Sequence, residues 1–414
     1  MLLSKAVALA FLAACGVVCA ADTNDALLSQ AQTSPKDAFL AYAQKHNRDY
    51  LNNQQASWTV RRQAVPDKEL EQRYEVFVQN LRRIVEHNAR NDVSYTLGLN
   101  GFADLTTEEF AERYFGTGPR KDMATLRSMH RGADLGRSSE HFPLSHNTPP
   151  ARVNWVEAGI ITPIKDQHVN GSKCGCCYAF GGVAGIEAAN AKFTGQAVSL
   201  SEQQIVDCDG LDYGCDGGDF WNVVQYVHEN GGIDSDADYP YLAQEDKCRK
   251  RKARKHHVVT VDGYQFVPEH NETALMQSVA FLPTIVAVCC GQYIDQWHLY
   301  AGGIFDTNAH CTAPLDHAVL VVGYGAEADG TPYWLIKNSW GSHWGEGGFM
   351  KLLRNVSDPL GQNGLLSLPP AYVIKEHGNP GPHAFQGRRH GHVGSHVLAL
   401  PSMLSRWFSM AQEA

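Results

Sequence analysis

The sequence predicts an α+β fold of two lobes behind an N-terminal helical segment. Three stretches carry this expectation. Leu70, Tyr74, Phe77, Leu81, Ile84 and Val85 fall along one helical stripe. A second apolar run opens at Cys177 and continues through Val183, Ala184, Ile186, Ala188 and Ala189, which reads as a long buried helix. From residue 258 to 355 the chain turns to strand character: Val258–Val261, Thr284–Val288, Ala318–Val322 and Tyr333–Ile336. The expected arrangement is a helical lobe facing a barrel-like β lobe across a cleft. At 414 residues, 43% hydrophobic and 19% charged, the chain can fill more than one core. A formal net charge of −9 argues against a nucleic-acid protein.

Taken in order, residues 1–20 read as a secretory signal peptide: Lys5, the apolar run Ala6 to Val18, then the small-residue site Val18-Cys19-Ala20. The run is too short to span a bilayer, and no other segment is long and apolar enough. Eleven cysteines fit the oxidising compartment that follows from such a leader. Sequons stand at Asn170, Asn271 and Asn355. Residues 21–148 read as a helical prosegment. Ser34-Pro35 marks a helix start, with Phe39, Tyr42, His46 and Tyr50 following at helical spacing. Thr106 and Glu109 have the spacing of a capping box. Residues 117–148, rich in Gly, Ser, Arg and Pro, read as an exposed linker suited to processing.

The chemistry-bearing residues lie far apart. Cys177 stands within Cys174-Gly-Cys-Cys-Tyr-Ala-Phe180, His317 within Leu315-Asp-His-Ala318, and Asn338 within Lys337-Asn-Ser-Trp-Gly341. A thiol is mostly protonated at neutral pH, so it needs a base to take its proton, and the base needs an orienting partner. A helix N-terminus at Cys177 favours the thiolate further. A lone cysteine is more often an inert buried thiol; the three contexts together point to a nucleophile, base and orienter.

On these residues the chain resembles the papain family of cysteine proteases, in its cathepsin L-like precursor form, from about residue 36 to about 375. Glu69, Arg73, Phe77, Asn80, Ile84 and Asn88 match that family's interspersed prosegment signature, and Gly98-Leu-Asn-Gly-Phe-Ala-Asp104 matches its second motif. The resemblance implies a papain-like two-lobe fold and a prosegment that crosses the cleft in the reverse direction to substrate, as inhibitor and folding aid. It places the catalytic domain at 149–375. Gln167 takes the place of the oxyanion donor, although its interval to Cys177 is longer than the family's. It implies disulfides Cys174–Cys215 and Cys208–Cys248, which spacing alone leaves open among three connectivities. The family's third bridge is broken: Cys311 stands at one half and Asn363 at the other, with Cys289 or Cys290 as alternative partners.

Gly217 and Gly218 match the cleft rim that pairs with an extended peptide. Asp219, Phe220, Ala287, Leu315 and Leu368 match the pocket for the residue two before the scissile bond, so a hydrophobic residue is expected there. Two features depart from the family: Cys176 in place of a small residue, open to a redox reaction with Cys177, and Tyr178 in place of tryptophan. Trp340 and Trp344 match its aromatic cover, His343 reads as exposed and incidental, and Asp316 is not a catalytic group. The basic run Arg249 to His257 reads as a solvated loop, with an acidic polysaccharide as the alternative partner. Residues 376–414, with histidines among glycines, have no counterpart in the family.

The expected function is peptide-bond hydrolysis by an endopeptidase made as a zymogen, without metal or organic cofactor. Expected partners are protein and peptide substrates, its own propeptide and cystatin-like inhibitors. The expected state is a monomer in the lysosome, vacuole or extracellular space. The competing expectation is a catalytically impaired homologue acting as inhibitor or binding protein.

Overall fold

In this computed structural model the described residues are 18–52, 68–115, 136–145, 147–169, 172–249, 257–307 and 310–379. The expected leader (up to residue 17), the middle of the linker, most of the basic run, Asn170 and the tail beyond residue 379 lie outside them. Among the described residues no helix is long and apolar enough to cross a membrane.

The N-terminal part is helical: α1 (Val18–Thr33), α2 (Pro35–Lys45), α3 (Asp49–Asn52), α4 (Lys68–Asn88) and α5 (Thr107–Tyr114). The stripe on α4 buries Leu70, Phe77, Leu81 and Ile84. Pro35 opens α2 as expected, but Ser34 bonds the carboxylate of Asp37 rather than capping a backbone N–H. The capping box of α5 forms in full: Glu109 N–H donates to Thr106 Oγ1 at 3.1 Å, and Thr106 N–H to Glu109 Oε2 at 2.9 Å.

One buried carboxylate organises this segment. Asp104 accepts from Tyr42 Oη (2.8 Å), Tyr50 Oη (2.9 Å) and Arg48 (2.8 Å), joining α2, α3 and the loop after α4. Asn80 on α4 donates to the carbonyls of Ala103 and Leu105 at 3.0 and 2.9 Å. Asn80 of the first matched motif thus holds the backbone of the second.

The remainder carries α6 (Cys177–Thr194), α7 (Glu202–Cys208), α8 (Phe220–Asn230), α9 (Glu272–Phe281) and α10 (Ile294–Leu299). The strands are β1 (Tyr95–Leu97), β2 (Gly136–Arg137), β3 (Val153–Asn154), β4 (Gly263–Phe266), β5 (Thr284–Val288), β6 (Tyr300–Phe305), β7 (His317–Ala326), β8 (Pro332–Lys337), β9 (Phe349–Leu353) and β10 (Ala371–Ile374). Among the described residues they form one sheet in the order β1-β6-β9-β8-β7-β5-β10-β4-β2, with β3 on β7. The sheet is open, which corrects the barrel-like lobe expected from sequence. Its two edge strands, β1 and β2, both lie ahead of residue 149 and cover edges that would otherwise present free backbone groups.

Helix α6 lies on one face of the sheet. Its glycines serve close approach: a Cβ at Gly181 would come 3.3 Å from Ala318 Cβ, and one at Gly185 2.7 Å from Ile285. The other face joins a single core with the prosegment, running from Phe77, Phe102 and Phe110 to Trp297, Trp340 and Trp344.

One local expectation fails: Val258–Val261 is not a strand; it makes only a bridge from Val259 to Ile233, and β4 starts at Gly263. Residues 136–145 are largely exposed, as expected of a linker, but they are anchored, since β2 pairs with β4 and Phe142 is buried against Val267 and Ala274. Short β-pairing of this kind leaves no periodic trace in a Gly- and Ser-rich sequence.

Candidate active site

Cys177 is the first residue of α6, where unsatisfied N–H groups and the helix dipole favour negative charge. His317 is the first residue of β7, and Asn338 follows the last residue of β8. Antiparallel pairing with Leu320 opposite Lys337 brings His317 and Asn338 to one end of the hairpin. The imidazole Nε2 and Asn338 Oδ1 are 2.8 Å apart, and Ser339 N–H donates to the same oxygen at 2.8 Å. An oxygen already accepting from an amide assigns the proton to His317 Nε2, which leaves Nδ1 as the basic nitrogen. Nδ1 is buried with no hydrogen-bond partner among the described residues.

The thiol and the imidazole are both held neutral here. Burial pushes the Cys177 thiol up to about 11, although backbone N–H groups, that of Ala318 foremost, pull the other way. Burial drives His317 down to about 4, against the Asn338 hydrogen bond. Trp340 covers the His317–Asn338 pair, its ring 4.8 Å from the imidazole, and Trp344 packs edge-on to Trp340 at 5.0 Å.

Gln167 is fully buried. Its Oε1 accepts from Ser339 Oγ at 2.8 Å, and its Nε2 donates to Cys174 O at 3.3 Å and to Tyr114 O at 3.0 Å. The longer interval to Cys177 therefore leaves the side chain beside the Cys174–Cys177 segment. Tyr114 ends α5 of the prosegment, so a prosegment carbonyl occupies this amide. The next residue, Phe115, sets its ring 6.2 Å from His317 and 6.4 Å from Trp340. Neither residue, nor the hydroxyl of Ser339, stood out in the sequence; Tyr114 and Phe115 are ordinary apolar positions whose place in the cleft depends on docking.

The segment carrying Gln167 is tied to α6 and β8 by buried charges. Lys165 Nζ lies 2.8 Å from Glu187 and 2.7 Å from Glu202, and Lys337 Nζ donates to Thr162 O at 2.9 Å. Disulfides join Cys174 to Cys215 and Cys208 to Cys248. A third joins Cys289 to Cys311, while Asn363 holds the Cys289 backbone through 2.9 and 3.0 Å hydrogen bonds. Cys176, Cys177 and Cys290 are buried and take part in no disulfide among the described residues. Cys176 is turned toward Tyr241, with Sγ 3.0 Å from its hydroxyl, rather than joined to Cys177.

At the expected rim, Gly217 has φ 115° and a Cβ there would meet nothing within 4 Å, so the backbone faces open space. Asp219 precedes α8 and is half-buried, and Phe220 is buried in the core of the helical lobe. Leu368 is buried in the same core, with Ala287 and Leu315 partly buried against it. Tyr178, in place of tryptophan, donates its hydroxyl to Gly214 O at 3.0 Å. His343 is exposed, as expected, yet its ring lies 4.8 Å from Phe102 and 6.0 Å from His46, and Nε2 is 3.4 Å from Asp166. Asp316 accepts from Cys290 N and Gly291 N, each at 2.9 Å, and so holds a turn.

The Cys177 thiol thus lies against the Ala318 backbone, one residue from an imidazole oriented by the Asn338 side-chain amide. The chain belongs to the papain family of cysteine proteases, whose family model matches residues 149–368. A cathepsin propeptide inhibitor domain matches residues 39–110. The chain is 42% identical over 319 residues to the cysteine endopeptidase RepA of Oryza sativa subsp. japonica, covering 75% of this chain and 79% of that one. It is 41% identical over 314 residues to the probable cysteine protease RD21B of Arabidopsis thaliana, covering 75% of this chain but 63% of that one. The proform of Amb a 11, a ragweed pollen cysteine protease, superposes with a TM-score of 0.67 at 31% identity, covering 83% of this chain and 95% of its own. The protein is a papain-like cysteine protease with a propeptide inhibitor domain, which implies a zymogen.

Proposed function

We propose that the mature enzyme is an endopeptidase acting through Cys177, His317 and Asn338, with Gln167 at the oxyanion. The observation that carries this is the Asn338–His317 hydrogen bond, which leaves Nδ1 as the bare, buried base. Nδ1 takes the Cys177 proton, and the thiolate attacks the scissile carbonyl. The oxyanion is met by Gln167 Nε2 and the Cys177 backbone N–H. His317 returns the proton to the leaving amine, and water then hydrolyses the thioester. In the proform Tyr114 O fills the amide and Phe115 shields the imidazole, so the site is closed until the prosegment leaves.

Gly217 and Gly218 pair with substrate backbone, and Asp219, Phe220, Ala287, Leu315 and Leu368 shape a pocket for a hydrophobic residue two before the cut. A peptide library varied at that position tests this: equal cleavage of acidic and aliphatic residues would reject the pocket. We assign residues 1–20 to a signal peptide, 21–148 to the propeptide, 149–375 to the mature domain and 376–414 to an extension. The mature protein is expected to be a monomer in the vacuole, lysosome or extracellular space, open to cystatin-like inhibitors.

Gln167→Ala is expected to lower kcat on the order of 10²-fold with KM little changed, because the amide acts on charge that develops in the transition state. Matched initial-rate curves on epoxide-titrated enzyme check it.

Acid is expected to loosen the propeptide. Burial holds His46 at about 3 and His168 and His298 at about 4. His46 Nε2, His168 Nε2 and His298 Nδ1 are buried without partners among the described residues, so a second proton there meets no acceptor. Their values are depressed relative to the freed state, so docking strength is intact above the ordinary histidine range and is lost as pH falls below about 6.5. Epoxide labelling of the full-length chain should accelerate from pH 7 to 4.5, on the order of tenfold per histidine. A labelling rate flat over that range would remove these histidines from the release.

A further inference from the structure

We propose that Asp209 and Asp212 share one proton, and that this carboxyl pair holds the Gly217–Gly218 rim in its substrate-binding shape. The inference rests on reading those glycines as the substrate rim.

Both residues lie in the loop between α7 and α8. Asp209 is buried, and its Oδ1 accepts from Leu211 N at 2.9 Å. Asp212 Oδ1 accepts from Asp219 N at 3.0 Å and from Asn222 Nδ2 at 2.8 Å. The second oxygen of each carboxyl, Oδ2, is buried and finds no donor among the described residues. Asp212 follows three residues on in the same loop, and its side chain acts on the Asp209 carboxyl. Two ionised carboxylates so placed would repel, whereas one proton turns one Oδ2 into a donor for the other. The surroundings do not neutralise them by charge: Glu229 acts on Asp209 and Asp219 on Asp212, both negative. From α6 the phenol of Tyr178 faces the pair, and Glu245 lies against Gly214 in the same loop. Burial raises both carboxyls above their ordinary range, which fits one retained proton near neutrality.

The pair is directly behind the rim. A Cβ at Gly218 would come 2.5 Å from Asp212 Cγ, so the glycine is what lets the carboxyl sit there. Asp212 grips the backbone just after the rim at Asp219 N, and Tyr213 N donates to Gly217 O at 3.0 Å. The Cys174–Cys215 bridge and the Tyr178–Gly214 hydrogen bond fasten the same loop to the nucleophile's helix. Losing the shared proton sets two charges against each other beneath this strip.

Because the folded values are raised, the rim's order is present at low pH and is lost as pH rises through them. Asp209 and Asp212 are positioning residues, so the effect falls on KM. The test uses mature, epoxide-titrated enzyme and a fluorogenic peptide with leucine two before the cut, from pH 5 to 9. Wild-type KM should rise roughly tenfold over that range. Asp212→Asn, whose amide supplies the donor without titrating, should hold KM flat at the acid value; Asp209→Asn is the reciprocal variant and should do the same. Asp212→Ala should show a raised KM at every pH. If both asparagine variants reproduce the wild-type KM profile, the shared proton is overturned. If Gly217→Val leaves KM unchanged, the rim reading itself fails and the proposal falls with it.

Discussion

Cys177→Ala is expected to abolish peptide hydrolysis and to leave a full-length chain that does not shorten at acid pH. The sulfur is the group that forms the bond to the acyl carbon, so removing it leaves only binding and the oxyanion amide. A loss on the order of 10⁶ in kcat follows when a nucleophile is deleted from a set that works as a unit. Cys176→Ser, one residue away, should keep nearly full activity, because Cys176 Sγ faces the hydroxyl of Tyr241 and serine retains a partner for it. Intact-mass analysis of acid-treated precursor, with turnover measured on the same sample, separates the two cysteines. Substantial turnover by Cys177→Ala would remove the nucleophile assignment.

Asp104→Ala is expected to release the prosegment at neutral pH. The substitution takes the acceptor from Tyr42, Tyr50 and Arg48 together. Arg48 is then left mostly buried without its partner, and breaking such a pair costs about 3–5 kcal/mol. That weakens docking by roughly 10²–10⁴-fold. Full-length wild-type chain at pH 7 should resist an epoxide thiol probe, with Tyr114 and Phe115 in the cleft, while the variant labels within minutes. Asp104→Asn keeps an acceptor and should fall between them. A variant as protected as wild type would show that the Asp104 network does not hold the inhibitory conformation.

What was legible in the sequence was legible for local reasons. The stripe on α4 and the Thr106–Glu109 box are backbone and spacing effects within a few residues, and both appear in the structure. Cys177, His317 and Asn338 were singled out by immediate neighbours such as Trp340, and the structure brings His317 and Asn338 together. What was missed concerns partners distant in the chain. His343 is exposed as read, but nothing nearby in the sequence announces that its ring will meet Phe102 and His46. The partner of Cys311 stayed open because Cys289 and Cys290 are adjacent, and only the strand β5 and the turn held by Asp316 present Cys289 to it.

The sequence by itself determined the family, the helical prosegment and the three residues of the proposed catalytic set, since motif identity and periodicity are properties of short stretches. Tertiary structure alone decided that the sheet stays open with strands from ahead of residue 149 on both edges, that Tyr114 O sits on Gln167, and that Asp212 backs Gly218. Each of these is a contact between groups whose meeting depends on how helices and sheet pack, and packing is a property of the whole chain.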